Sequence, residues 1–73
     1  MIAKKERTLK DVRRELSYSL NDVCRLTGLS PIRISEYERG LHKPWPTTAI
    51  RLAAAYNLTL EETMRLWRNA NEK

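Results

Sequence analysis

The sequence predicts an all-α fold of five short helices, and three observations support this. Apolar residues recur at helical spacing in five stretches, and none alternates apolar with polar as a half-buried strand would. Thr8, Ser19, Ser30 and Thr59, side chains that cap helix starts, each precede such a stretch. Gly28, Gly40 and Asn57, residue types that enter the left-handed conformation most easily, close three of them.

Size and charge narrow the function. Seventy-three residues make one domain, near the size where a single core barely outweighs chain entropy. Such a chain has little room for a buried substrate pocket. The net charge is +5 and unevenly placed. Residues 1–51 hold eleven Lys/Arg and six Asp/Glu, whereas residues 52–73 hold three of each. A basic N-terminal part favours an anionic partner, nucleic acid first among them. No apolar run approaches the ~20 residues of a membrane span. The opening MIAKKER lacks the apolar stretch of a secretory signal. The single cysteine cannot form an internal disulfide, which suits a cytoplasmic protein.

Residues 1–7 read as a flexible basic arm, residues 8–68 as the folded domain and residues 69–73 as a frayed tail. Thr8 caps helix one, with Asp11 three positions on, and Leu9, Val12 and Leu16 share one face. Arg13 sits beside that face and can reach inward. Tyr18 reads as a hydrophobic staple before helix two, which Ser19 caps with Asp22 at its third position. Val23, Cys24 and either Leu26 or Thr27 face the core, and Cys24 lets two helices approach closely. Asn21 and Arg25 face out.

Gly28 ends helix two, and Leu29 plugs the turn. Ser30 caps helix three with Pro31 at its first position, where a missing N–H costs nothing. Ile34 and Tyr37 face inward with Glu38 beside them. Ile32, Glu36 and Arg39 form an outward stripe flanked by Arg33 and Ser35. In the loop LHKPWP, His42 and Lys43 are exposed donors, and Trp45 reads as a lid on the core, with an interface as the alternative. Helix four is expected from Thr47 or Thr48 to Tyr56, with Ile50, Leu52, Ala53 and Tyr56 inward. Thr59 and Glu62 make a full capping box for helix five, on which Leu60, Met64 and Trp67 share a face. That face is either core or a dimer surface.

The segment Gly28-Leu29-Ser30, Ile34-Ser35 and Glu38-Arg39-Gly40 resembles the Cro/repressor (XRE-like) helix-turn-helix family. Pro44, the Arg51-Leu52-Ala53 run and Leu58-Thr59-Leu60-Glu61-Glu62 extend the resemblance over residues ~8–67. It implies a compact five-helix, repressor-like domain with the helix-turn-helix at helices two and three. Helix three would lie in the major groove of double-stranded DNA and helix two would cross the backbone. It implies transcriptional regulation, usually as a homodimer, and a structural pair between Arg13 and Glu38. The family usually carries Gln where this chain has Leu20, and polar base readers where it has Pro31 and Ile32.

Two readings of the outward stripe stay open. In the first, Ile32 packs on thymine methyls, Arg33 binds guanine or phosphate, and Glu36 accepts from a cytosine amino group. Ser19, Asn21, Ser30, Ser35, Arg39, His42 and Lys43 then hold the DNA backbone. In the second, Ile32 belongs to a protein interface, and Arg33–Glu36 is a solvated pair worth a few tenths of a kcal/mol. The expected function is that of a sequence-specific DNA-binding regulator, a repressor of phage or mobile-element type. The alternative is an antitoxin or adaptor whose partner is a protein such as a toxin or anti-repressor. No acid/base pair, metal cluster or phosphate loop suggests an enzyme, and no cofactor or metal is expected.

Overall fold

The computed structural model describes residues 7–71 and contains five helices: α1 Leu9–Glu15, α2 Leu20–Thr27, α3 Pro31–Glu38, α4 Pro46–Tyr56 and α5 Leu60–Asn71. Among the described residues there is no strand. Residues 1–6 of the expected arm and residues 72–73 lie outside them.

Reciprocal hydrogen bonds start three of the helices. The Ser19 backbone N–H donates to Asp22 Oδ2 at 2.8 Å, and the Asp22 N–H donates back to Ser19 Oγ at 3.1 Å. Thr8 with Asp11, and Thr59 with Glu62, repeat the arrangement. The donated backbone hydrogen bonds hold the Asp22 and Glu62 carboxyls below the usual carboxylate range. Ser30 Oγ accepts from the Arg33 N–H at 3.2 Å, with Pro31 at the first position of α3.

Left-handed residues follow the ends of α1 to α4. Gly40 at φ +74° closes α3, its N–H reaching Tyr37 O while the Leu41 N–H reaches Glu36 O. Asn57 at φ +59° ends α4 in the same way, through Ala54 O and Ala53 O. Ser17 does this for α1 at φ +62°, donating to Arg14 O as Tyr18 donates to Arg13 O. Serine gives little sequence signal for that conformation.

The core joins all five helices through Leu9, Val12, Val23, Ile34, Leu52, Tyr56, Leu66 and Trp67. α2 packs on α3 and α4, and α5 packs on α1, α3 and α4. Leu20 is half-buried against this core.

Three expectations are corrected, and one choice left open by the sequence is resolved. α4 begins at Pro46 rather than Thr47 or Thr48, because proline fits the first helical position, and Trp45 becomes an N-cap with no side-chain bond. Ile50 is 57% exposed, because Ala49, Leu52, Ala53 and Tyr56 at i, i+3, i+4 and i+7 take the inward stripe. Thr27, not Leu26, is the buried residue at the end of α2, its hydroxyl donating to Val23 O at 2.7 Å. The tail expected from residue 69 is helical through Asn71. Asn69 Nδ2 donates to Arg7 O and Asn71 Nδ2 to Gly40 O, each at 2.8 Å, which anchors this last turn. Arg7, counted in the arm, also pairs with Glu15 across α1.

Candidate nucleic-acid interface

A buried polar network sets α3 against the rest of the molecule. Arg13 Nε donates to Glu38 Oε2 at 2.6 Å, and Arg13 Nη2 donates to Oε1 at 3.2 Å, a bidentate fork. Arg13 Nη1 also reaches Tyr18 O at 2.9 Å. From the opposite side the Tyr56 hydroxyl donates to Glu38 Oε2 at 3.0 Å. One carboxylate on α3 is thus held by a cation from α1 and a phenol from α4. The Tyr56 contact was missed in the sequence, where Tyr56 read simply as a core aromatic.

Burial, and then the neighbouring Glu38 charge, push the Tyr56 phenol well above its ordinary value. A phenol raised in the folded state contributes stability that is fully present below its unfolded pKa of about 10 and is lost as pH rises past it. Wild-type melting temperature should therefore fall more steeply between pH ~9 and ~11 than that of Tyr56→Phe, since only the wild type carries this titration. Thermal melts across that range check it; parallel curves would remove Tyr56 from the linkage.

With Ile34, Tyr37 and Glu38 turned inward, the opposite side of α3 is presented to solvent. Ile32 is 73% exposed, although it is a large aliphatic in a domain short of core. Pro31, Arg33 and Arg39 are exposed beside it, and Ser35 and Glu36 are half-buried. Glu36 Oε1 lies 3.5 Å from Arg33 Nη1 and 3.6 Å from His42 Nε2, so the loop folds back over the stripe. Arg39 Nε donates to Ser35 O at 3.4 Å, the long edge of a hydrogen bond.

The remaining predicted residues divide between places. Ser19 and Ser30 stand exposed at the starts of α2 and α3, their oxygens accepting cap bonds while each hydroxyl hydrogen remains to donate. Asn21 is exposed on the first turn of α2. Lys43 instead borders a groove between the loop and α5, together with Leu60 and Met64. Trp67 leaves the expected Leu60–Met64–Trp67 surface. It is buried, its indole N–H donating to His42 O at 2.7 Å, which ties the ring beneath the loop. Trp45 is no lid, being 76% exposed at the N-cap of α4, where it borders the same groove.

Arg51 was also missed. Its guanidinium donates to Thr27 O at 3.3 Å and supports the last turn of α2, just before Gly28. Nothing local in the sequence marks a side chain that acts on a helix 24 residues away.

No group of three or more metal-ligating side chains occurs among the described residues, and no helix among them is long and apolar enough to cross a membrane. A family model described as helix-turn-helix matches residues 9–62. No curated protein and no solved structure matches the chain.

Proposed function

The chain belongs to the Cro/repressor (XRE-like) helix-turn-helix family of DNA-binding transcription regulators, and on that premise we propose that it is a sequence-specific repressor of phage or mobile-element type. It acts in the cytoplasm as a homodimer on a pseudo-palindromic site, with α3 in the major groove. The observation that carries this reading is the division of α3 into two faces. One is locked inward by Ile34, Tyr37 and Glu38; the other leaves Ile32 and Arg33 in solvent beside Glu36.

In this arrangement Ile32 meets thymine methyls, Arg33 takes guanine or phosphate, and Glu36 accepts from cytosine. Ser19, Asn21, Ser30, Ser35, Arg39, His42 and Lys43 supply backbone contacts, which position the helix without carrying sequence information. The DNA-binding domain begins at residue 8 and includes α5.

A titration of random and genomic DNA at two salt concentrations tests this. Neutralising ~4–8 phosphates should give a log Kobs against log[salt] slope of about −4 to −7 on both, with tighter binding to the fragment that holds the operator. Absence of binding to either DNA at low salt would reject the repressor and leave the antitoxin or adaptor reading.

A further inference from the structure

Glu36 is the one acid on the presented side of α3, since Glu38 is turned inward. It does not stand alone. Arg33 Nη1, one turn back on the helix, and His42 Nε2, from the following loop, approach the same oxygen, Oε1, at 3.5 and 3.6 Å. Oε2 takes no partner among the described residues, and none of their buried side-chain oxygens is left unpaired, so Oε2 opens to solvent. The carboxylate therefore has one oxygen held and the other presented.

The place of His42 does not depend on its ring. The Trp67 indole N–H holds the His42 carbonyl, and Asn71 Nδ2 holds that of Gly40. The imidazole itself is 54% exposed, so a backbone fixed by α5 carries it to Glu36.

Such contacts add little to stability in water. A major groove changes their weight. A lone carboxylate there is repelled by the phosphates and loses hydration. Cations on Oε1 offset both losses, and partial exclusion of water strengthens the attraction. Holding the side chain in one orientation beforehand also lowers the entropy lost on docking. The presented oxygen can only accept. The cytosine amino group is the donor that suits it, because the adenine amino group is flanked by the N7 acceptor, which repels a carboxylate.

We propose that His42 is a positioning residue for base selection: its charged imidazole, together with Arg33, holds Glu36 Oε1 so that Oε2 is presented to a cytosine amino group. This rests on the reading of α3 in the major groove given above, and it moves His42 from the phosphate contacts to the choice of a base. A neutral imidazole exerts no such attraction, so selection of cytosine weakens as pH rises. The other charged side chains around it, Arg33 and Arg39 on α3, Lys43 in the loop and Arg68 on α5, are of kinds that do not titrate between pH ~5 and ~8.

Selection by the full chain from a random duplex library at low salt and pH ~6 supplies the DNA, and binding is then compared at pH ~6 and ~8, at one ionic strength, for that site and its single-base-pair variants. Wild type should prefer cytosine at one position by about fivefold or more at the lower pH, and that preference should fall about threefold at the higher. His42→Gln should show the weaker preference at both pH values, and His42→Lys the stronger at both. Glu36→Gln should lose the preference together with its pH dependence. Thermal melts should match wild type for both His42 variants, since Trp67 holds the His42 backbone and not its ring.

If His42 only touched phosphate, His42→Gln would weaken every duplex equally and leave the cytosine preference and its pH profile unchanged. That result would overturn the proposal, as would a wild-type preference equal at both pH values or a selected site with no preference that depends on Glu36. None of these touches the reading of the chain as a DNA-binding regulator. A chain that retains no duplex from the library at low salt would overturn both.

Discussion

Glu38→Ala should destabilise the domain by about 3–5 kcal/mol, whereas Glu36→Ala, two residues away on the same helix, should change stability by less than about 0.5 kcal/mol. The two carboxylates differ in what they hold. The Glu38 side chain is 4% exposed against an Arg13 side chain at 12%, and it accepts both arms of the guanidinium and the Tyr56 hydroxyl. Its removal leaves a buried cation and a buried phenol without their acceptor, and that uncompensated desolvation is the larger part of the loss. Glu36 meets Arg33 and His42 at 3.5 and 3.6 Å, and those partners are more than half exposed. Water replaces such contacts at little cost. Chemical denaturation of both variants checks the order, and a larger loss for Glu36→Ala would dissolve the network. Glu38→Gln should fall between them, since an amide oxygen still accepts but the charge is gone. For a 73-residue domain with roughly 5 kcal/mol in hand, Glu38→Ala would leave much of the population unfolded.

The parts legible in sequence were those whose signal is local. A cap side chain and its partner three residues on lie in one turn, so Thr8–Asp11, Ser19–Asp22 and Thr59–Glu62 could be read directly. Gly28, Gly40 and Asn57 do take the left-handed conformation. Arg13 and Glu38 each stood beside an inward face, which restricts what they can meet. What escaped were residues whose role depends on elements far apart in the chain. Arg51 acts on the end of α2, Tyr56 on a carboxylate of α3, and Trp67 on the carbonyl of His42. Periodicity places a residue on a face but does not say which neighbour that face meets. Trp67 and Leu60, one stripe by spacing, therefore separate into core and groove. Trp45 was misread for a related reason. Tryptophan is expected to seek cover, yet it stands exposed at the N-cap of α4.

Gly40→Ala should cost about 3–5 kcal/mol, whereas Gly28→Ala should cost only ~1–2 kcal/mol. Both glycines sit in the left-handed region, at φ +74° and +79°, so a Cβ strains the backbone similarly in each. Their surroundings differ. A Cβ on Gly28 would meet only the Arg51 guanidinium at 3.7 Å, ordinary contact with a flexible side chain. A Cβ on Gly40 would lie 2.5 Å from Asn71 N, 2.6 Å from Asn71 Cα and 2.8 Å from the Ala70 carbonyl carbon. Those are backbone atoms of the last turn of α5, which cannot rotate aside. Either α5 lifts from the end of α3, losing the Asn71–Gly40 hydrogen bond, or the left-handed turn that closes α3 opens. Denaturation midpoints of the two variants measure the difference. Equal losses would mean that backbone conformation is the whole cost and that the end of α5 is not pressed on this glycine. Shortening the chain after Asn69 removes the clashing atoms, so Gly40→Ala in that background should cost no more than Gly28→Ala. This contact, like the core residues Leu66 and Trp67, lies past residue 62, where the family match stops. The final turn of α5 seats directly on the residue that terminates the presented helix.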